Sequence, residues 1–158
     1  MRLFGAQLAA LQFSSPEWKQ HWTAYEGRPV AAGVEDFKYI WEPARFGWAY
    51  PLGRAYLLTG DERYPASFWQ HCESFLAHHP PNQGPNWSSA QEVALRLLAM
   101  LFAARVFENS PHTSPQRRAR LAGAVTAHAA RIPLTLSYAR AQNNNHLISE
   151  ALGLYAAG

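Results

Sequence analysis

Apolar residues recur at helical spacing along nearly the whole chain, and clusters of proline, glycine, serine and asparagine separate one such segment from the next. No stretch shows the strict alternation of polar and apolar residues that marks a half-buried strand. With 158 residues, of which 48% are hydrophobic and 16% charged, the chain is long and apolar enough to bury one core. The pattern therefore predicts an all-α fold of antiparallel helical hairpins that forms a single unit.

Capping and breaking residues predict the limits of the first helices. Ser15 and Pro16 match the cap and first turn of a helix that runs through Tyr25. A longer helical pattern extends from Trp41 to Leu58, and Pro51 lies inside it. Because proline removes a backbone donor and crowds the preceding turn, we expect this helix to bend near Pro51.

The middle of the chain predicts two further helices. Gly60 ends the preceding helix, and Asp61 caps a helix that we expect to stop before His79, because a residue that precedes proline disfavours the helical region. Two overlapping capping boxes within 88–92 then open a helix that reaches Phe107. Its apolar residues cover most of its surface, which indicates an inner helix.

The last third of the chain predicts an interrupted helical region. Ser114 and Pro115 open a helix that Pro133 should kink or divide in two. The run Asn143–Asn145 interrupts the pattern, since asparagine is a poor helix former that competes for backbone hydrogen bonds. Helical spacing then resumes from Leu147 to Tyr155.

The charge pattern argues against two classes of partner. The chain carries a net charge of +3 at pH 7, and its basic residues are scattered without a lysine or arginine run, so we expect no nucleic-acid partner. No apolar run approaches the roughly 18 residues that a membrane span needs. We therefore expect no membrane span.

Cysteine and histidine usage predicts neither a disulfide nor a cofactor. Cys72 is alone in the sequence, so no intrachain disulfide can form. The seven histidines include no pair at metal-ligand spacing on one helix face, and we predict no metal and no cofactor. The residues after Met1 lack the apolar core and cleavage site of a signal peptide, which leaves a periplasmic or a cytoplasmic location open.

The most unusual local feature is the polar segment 142–150. Three consecutive asparagines are followed by His146 and, four residues later on the same helical face, by Glu150. One interpretation is structural, with the asparagines ending one helix and capping the next. The other is chemical, because amide donors, an imidazole and a helix N-terminus together suit the binding of a carboxylate while a proton next to it is removed. In a uronic-acid polysaccharide this proton is on C5, and its loss expels the 4-linked sugar by β-elimination.

Three segments in order carry a resemblance to a known family. They are WEPARF at 41–46, WSSAQEVALR at 87–96 and YARAQNNNHLISE at 138–150. Their order and spacing resemble the N-terminal helical domain of heparinase II/III-like polysaccharide lyases, most strongly over 35–158. Such lyases have an incomplete (α/α) toroid followed by antiparallel β-sheet domains, with the sugar chain in the cleft between them.

The resemblance implies a reaction and roles for three residues. Asn145 and His146 occupy the positions that neutralise the uronate carboxylate during β-elimination, and Asn144 is an adjacent donor. The expected substrate is an acidic, heparin-like or heparan-like polysaccharide. Residues 1–158 would be the N-terminal part of the toroid. The family's catalytic tyrosine, the remaining helices and the β-sheet portion would be supplied by the same polypeptide beyond Gly158, so we expect these 158 residues alone to be inactive.

The other candidate substrate-binding residues each have a structural alternative. Glu92 and Arg96 lie four apart, and they fit a simple ion pair within one helix at least as well as contact with substrate. Trp41 and Arg45 could bind substrate or join neighbouring helices. Trp87, on a loop, could stack on a sugar or pack in the core. A non-catalytic helical-repeat module that binds glycan or protein is the alternative to the lyase.

Overall fold

A computed structural model of the chain describes residues 16–26 and 38–158. Within these ranges the chain is helical and has no sheet, and a single antiparallel bridge joins His21 to Gln83. The predicted all-α fold is therefore confirmed. The described part of the chain contains seven α-helices, here α1 to α7, which span Lys38–Ala44, Ala49–Thr59, Arg63–His78, Ala90–Val106, Pro115–Arg131, Leu136–Gln142 and Asn145–Ala157. Short 3-10 helices span Pro16–Lys19, Trp22–Tyr25, Pro85–Trp87 and Ile132–Thr135.

The first two predicted helices differ from the observed ones. Ser15 lies outside the described residues, and the segment after it forms two separate 3-10 turns rather than one helix. The bend predicted at Pro51 is wrong, because the chain breaks between α1 and α2, where Phe46 adopts a left-handed conformation with φ 58°. Pro51 instead lies in the first turn of α2, where its missing N–H leaves no hydrogen bond unmade.

The ends of α2 and α3 are as predicted. Gly60 has φ 66°, and its N–H donates to the Tyr56 carbonyl at 2.8 Å, which closes the last turn of α2. The Asp61 carboxylate accepts a hydrogen bond from the Arg63 N–H at 2.9 Å at the start of α3. That helix ends at His78, before the two prolines.

The capping boxes predicted for α4 do not form, although the helix itself is confirmed. Ser89 is its N-cap residue but makes no side-chain cap bond, and the Ser88 hydroxyl donates to the Pro85 carbonyl at 2.7 Å. Glu92 faces away from the backbone donors and bonds to Arg45.

The breaks on either side of α6 follow the sequence. Ser114 caps α5 by accepting from the Arg117 N–H at 3.2 Å, and Pro133 lies in the 3-10 turn that separates α5 from α6. Asn143 ends α6 in the left-handed region with φ 47°, and the Asn144 side chain accepts from the His146 N–H at 2.9 Å.

Helix α4 forms the centre of the described fold and packs against α2, α5 and α7. Its buried residues lie all around its axis, as the sequence predicted for an inner helix. Helix α7 approaches α4 closely at Gly153, where an added Cβ would lie 3.0 Å from the Cβ of Ala94. The helix pairs α2–α3, α4–α5 and α6–α7 are each in contact, in agreement with successive hairpins, and closure into a toroid stays a prediction. None of the described helices has the length and apolar character to cross a membrane.

Candidate functional site

A cleft of about 710 Å³ opens between α1, the start of α4, α6 and the first turns of α7. Its walls combine charged, aromatic and small polar side chains. They come from Tyr25, Glu26, Lys38, Trp41, Arg45, Ser88, Ser89, Ala90, Gln91, Glu92, Thr135, Tyr138, His146 and Glu150. The size matches that of ligand-binding clefts in proteins.

One side of the cleft carries a bidentate ion pair. The guanidinium group of Arg45 donates from Nε to Glu92 Oε2 at 2.5 Å and from Nη2 to Glu92 Oε1 at 2.7 Å. The Glu92 side chain is 3% exposed and that of Arg45 34% exposed. The hydrogen bond with Glu92 raises the pKa of Arg45 above its ordinary value. The pair joins α1 to α4 and holds a cation at the cleft wall.

Loop 85–88 forms the base of this wall, and side chains from three helices hold its carbonyls. Trp41 Nε1 donates to the Pro85 carbonyl at 2.9 Å. Arg131 donates from Nε to the Trp87 carbonyl at 2.9 Å and from Nη2 to the Ser88 carbonyl at 2.8 Å. The backbone at the start of α4 is therefore fixed before any ligand arrives.

Arg96 holds the same loop from inside the core. It is fully buried and donates to the Asn86 carbonyl at 2.8 Å, to the Ala44 carbonyl at 3.0 Å and to His128 Nε2 at 2.8 Å. Burial lowers the pKa of Arg96, and the nearby charge of Glu92 partly offsets this effect. Arg96 thus connects α1, loop 85–88 and α5.

His128 is a neutral base beneath this arginine. Its Nδ1 lies 2.7 Å from the Ala124 carbonyl, and its Nε2 faces the Arg96 guanidinium, so the proton is assigned to Nδ1. Burial, followed by the positive charge of Arg96, lowers the pKa of His128 to about 3. The imidazole is therefore a buried structural acceptor that does not line this cleft.

Residues 12–158 match the protein family described as Heparinase II/III N-terminus. The chain belongs to this family. It is similar to a heparin-sulfate lyase of Bacteroides thetaiotaomicron, with 28% identity over 117 residues, which are 72% of this chain and 16% of that protein. The chain thus spans 16% of the length of that curated relative. No solved structure shows a significant match to this chain.

Only some of the predicted site residues of this heparinase II/III N-terminal chain line the cleft. Trp41, Arg45, Glu92 and His146 line the cleft together, although 105 positions separate the first from the last. The ion pair between Glu92 and Arg96 that the spacing suggested is not observed. Glu92 bonds to Arg45 instead, and the Arg96 guanidinium donates to two backbone carbonyls and to His128. The resemblance placed these residues in a site, and the structure shows which of them share a surface.

Trp87 adopts the packing alternative. Its side chain is 1% exposed and its ring lies 4.5 Å from the His128 ring, centroid to centroid. The Arg96 guanidinium lies 5.6 Å from the Trp87 ring centre. With 1% of its side chain exposed, Trp87 packs in the core rather than offering a surface ring for a sugar to stack on. Tyr25, Trp41 and Tyr138 are the tyrosine and tryptophan residues that line the cleft beside the acidic and basic groups.

The asparagine run forms the turn before α7 and the first residue of that helix. Asn143 and Asn144 form the turn and the cap that the structural interpretation predicted. Asn145 is the first residue of α7, is exposed, and accepts a bond from the Ser149 hydroxyl on its carbonyl at 3.0 Å. Of the four consecutive residues 143–146, His146 is the one that lines the cleft. Among the residues that the structure describes, no group of three or more histidine, cysteine or acidic side chains could hold a metal ion.

Sequence reasoning left most of the cleft residues out of the site, among them two charged residues and a tyrosine. Lys38 and Tyr138 line it, and so does Glu150, which is 2% exposed. Burial raises the pKa of Glu150 and the charge of Arg131 opposes that rise. The spacing of four residues after His146 was the available signal for Glu150.

Proposed function

We propose that this chain forms one wall of the cleft in which a lyase cleaves a uronic-acid-containing, heparin-like or heparan-like polysaccharide by β-elimination. The observation that carries the proposal is the position of His146, in the first turn of α7 and on the wall of the cleft. Family membership and the heparin-sulfate lyase relative support the same class of reaction.

The proposed chemistry needs donors where negative charge grows. A base removes the C5 proton, and the electron pair moves toward the carboxylate of the uronate. The C4–O bond then breaks, the departing sugar oxygen takes a proton, and a double bond forms between C4 and C5. The His146 side chain and the Asn145 amide, beside the N-terminus of α7, would stabilise the charged carboxylate. Asn144 would support them by fixing the turn that begins the helix.

Other cleft residues would bind the rest of the chain. Lys38 and the outer face of Arg45 present positive charge for carboxylate or sulfate groups, while Trp41 and Tyr138 offer rings for sugar faces. Glu92 would act through Arg45 by holding its guanidinium in place. Trp87 and Arg96, both buried, would act only as supports of loop 85–88.

We propose that further helices and a β-sheet portion of the same polypeptide complete the cleft and supply the base. Helix α7 presents Ile148, Leu152 and Tyr155 to solvent, 72%, 51% and 85% exposed. These residues follow one face of the helix at spacings of four and three. An apolar stripe of this kind suits a neighbouring helix.

The test uses the full-length polypeptide that carries this chain. With a uronate polysaccharide, the ultraviolet absorbance of the unsaturated product should appear in the wild type, and His146→Ala should lower the single-turnover rate about 10²–10³-fold. His78→Ala is the matched control, because His78 is exposed at the end of α3 and bonds to the Ser74 carbonyl. Wild-type chemistry in His146→Ala would contradict the role of His146. Binding without any unsaturated product would favour the non-catalytic glycan-binding module.

A further inference from the structure

Glu150 is a buried carboxylate whose hydrogen bonding is incomplete. It lies on α7 one turn after His146, lines the cleft and is 2% exposed. Its Oε2 atom is buried and has no hydrogen-bond partner within residues 16–26 and 38–158. A buried acceptor left without a donor lowers stability, so such a group commonly marks a ligand position or a site of strain.

The nearest opposing charge does not supply the missing donor. Arg131 attracts Glu150 electrostatically. Its guanidinium donates to other acceptors, from Nε and Nη2 to the carbonyls of Trp87 and Ser88 and from Nη1 to the Thr135 hydroxyl at 3.1 Å, and none of its N–H groups bonds to Oε2. Arg131 thus favours the charged form of Glu150 but leaves Oε2 free to accept a bond from a ligand.

The surroundings of Glu150 restrict the kind of group that it could bind. The other charged groups on the cleft wall are Glu26, Lys38 and the Arg45–Glu92 pair, with His146 on the same helix. The positive charges that a uronate carboxylate needs therefore lie on other side chains. A second carboxylate brought against Glu150 would be repelled, whereas a neutral or positively charged donor would be attracted.

We propose that Glu150 is a substrate-binding residue whose carboxylate accepts a hydrogen bond from a donor on the bound polysaccharide, a sugar hydroxyl or the amine of a hexosamine. The inference rests on the proposed function, since it takes a polysaccharide as the ligand of this cleft. Glu150 and His146 lie four residues apart on α7, about 6 Å along the helix axis. They would contact different groups of the same ligand, and Glu150 would fix the register in which a uronate meets His146.

The direct test is a titration of the Glu150 carboxyl carbon by NMR in the 158-residue chain. The protein is titrated first alone and then saturated with a tetrasaccharide of alternating glucuronate and N-acetylglucosamine. A hydrogen bond accepted from the sugar stabilises the carboxylate, so the pKa of Glu150 should fall by about one unit or more on binding. The same pKa with and without bound tetrasaccharide would overturn the proposal, and this readout needs no variant that might misfold.

Affinity measurements provide the second arm. Glu150→Met should weaken tetrasaccharide binding about tenfold or more, because it removes the acceptor, and Glu150→Gln should weaken it less. Glu108→Gln is the matched control, since Glu108 pairs with Arg105 on the surface away from the cleft. Unchanged affinity in a folded Glu150→Met protein would overturn the proposal.

The pattern of failure separates this inference from the proposed function. If the wild type binds and His146→Ala weakens binding while both Glu150 variants match the wild type, only the Glu150 subsite is wrong. If neither the 158-residue chain nor the full-length polypeptide binds a uronate oligosaccharide, the proposed function is wrong and the subsite with it. A tetrasaccharide with free amines distinguishes the two donors. Tighter binding that Glu150→Gln abolishes identifies the amine, and equal binding of both sugars identifies a hydroxyl.

Discussion

Arg96 and Arg131 are buried cations that bond mainly to backbone carbonyls rather than to carboxylates. Between them they hold the carbonyls of Asn86, Trp87 and Ser88, which lead into α4. The planar guanidinium group offers several donors in fixed directions, which a lysine ammonium cannot reproduce. At the residue scale, these two side chains determine the shape of the cleft base.

Arg96→Met should therefore be strongly destabilising. It leaves the carbonyls of Ala44 and Asn86 and the ring of His128 without their donor, and we expect a loss of about 3–5 kcal/mol in the free energy of unfolding. Urea unfolding measures the loss, and Arg54→Met on the exposed face of α2 is the control. A change below about 1 kcal/mol would show that water replaces the arginine easily.

The pH dependence of stability should report on His128. Its pKa falls from 6.5 in the unfolded chain to about 3 in the folded protein, so the unfolded state binds more protons between these values. The stability contribution is complete above pH 6.5 and is lost as the pH falls toward 3, by about 1.4 kcal/mol per unit. Glu150 has the opposite effect. Burial raises its pKa in the folded protein, so its contribution to the free energy of unfolding is lost as the pH rises.

Comparing His128→Gln with the wild type isolates this contribution. Urea unfolding between pH 7 and pH 5 should show a shallower fall in stability for His128→Gln, whatever its stability at neutral pH. His78→Gln should keep the wild-type slope, because His78 is exposed. Equal slopes in all three proteins would mean that His128 is protonated in the folded state.

The residue scale also shows what the sequence could not predict. Arg45 and Glu92 lie 47 positions apart, so no local spacing rule connects them, whereas the spacing of Glu92 and Arg96 suggested a pair that does not form. Trp87 follows Gly84 and Pro85, which is typical of a surface loop, yet long-range bonds to its carbonyl hold it in the core. Burial of a loop residue depends on partners distant in sequence.

Helix ends were predicted well because their causes are local. Gly60, Ser114 and the proline after His79 act within one turn of the helix end that they determine. The break between α1 and α2 was missed because it depends on the left-handed conformation of Phe46, whose fully buried ring packs against Trp48 and Phe75. Tertiary packing overrides local preference there.

Two glycines should respond in opposite ways to the same substitution. Gly60→Ala places a Cβ on a residue with φ 66° and should lower the free energy of unfolding by about 1–2 kcal/mol. Gly123→Ala, inside α5 with no atom within 4 Å of the added Cβ, should raise it by about 0.5–1 kcal/mol. Thermal melting measures both. Two losses of equal size would contradict the helix-end role of Gly60.

Asn144 allows the cap to be separated from the chemistry. Asn144→Ala removes the acceptor for the His146 N–H and should cost about 1 kcal/mol of stability, while Asn144→Ser should retain most of it. Turnover per folded molecule of the full-length polypeptide should change much less than in His146→Ala. A rate loss as large as that of His146→Ala, with normal melting, would assign Asn144 to the chemistry.

At the scale of the whole molecule, the apolar periodicity alone was enough to predict an all-α fold. The buried cluster that contains Phe68, Trp69 and Phe107 and the close contact at Gly153 add the specific packing that periodicity does not contain. The cleft forms where α1, α4, α6 and α7 meet beside residues 25–26, so its lining residues come from five separate stretches of sequence. Only the family resemblance could have gathered them in advance.

The central proposal is that this cleft, rather than another surface of residues 16–26 and 38–158, binds an acidic polysaccharide. We would follow backbone and side-chain NMR shifts as a glucuronate-containing tetrasaccharide is added, with an uncharged glucose tetrasaccharide as the control. We expect the acidic sugar alone to cause saturable shifts at Trp41 Nε1, Tyr138 and the His146 ring. The signals of Leu57 and Leu58, at the exposed end of α2, should not shift. Shifts confined to residues outside the cleft, or equal shifts with the uncharged sugar, would contradict the proposal.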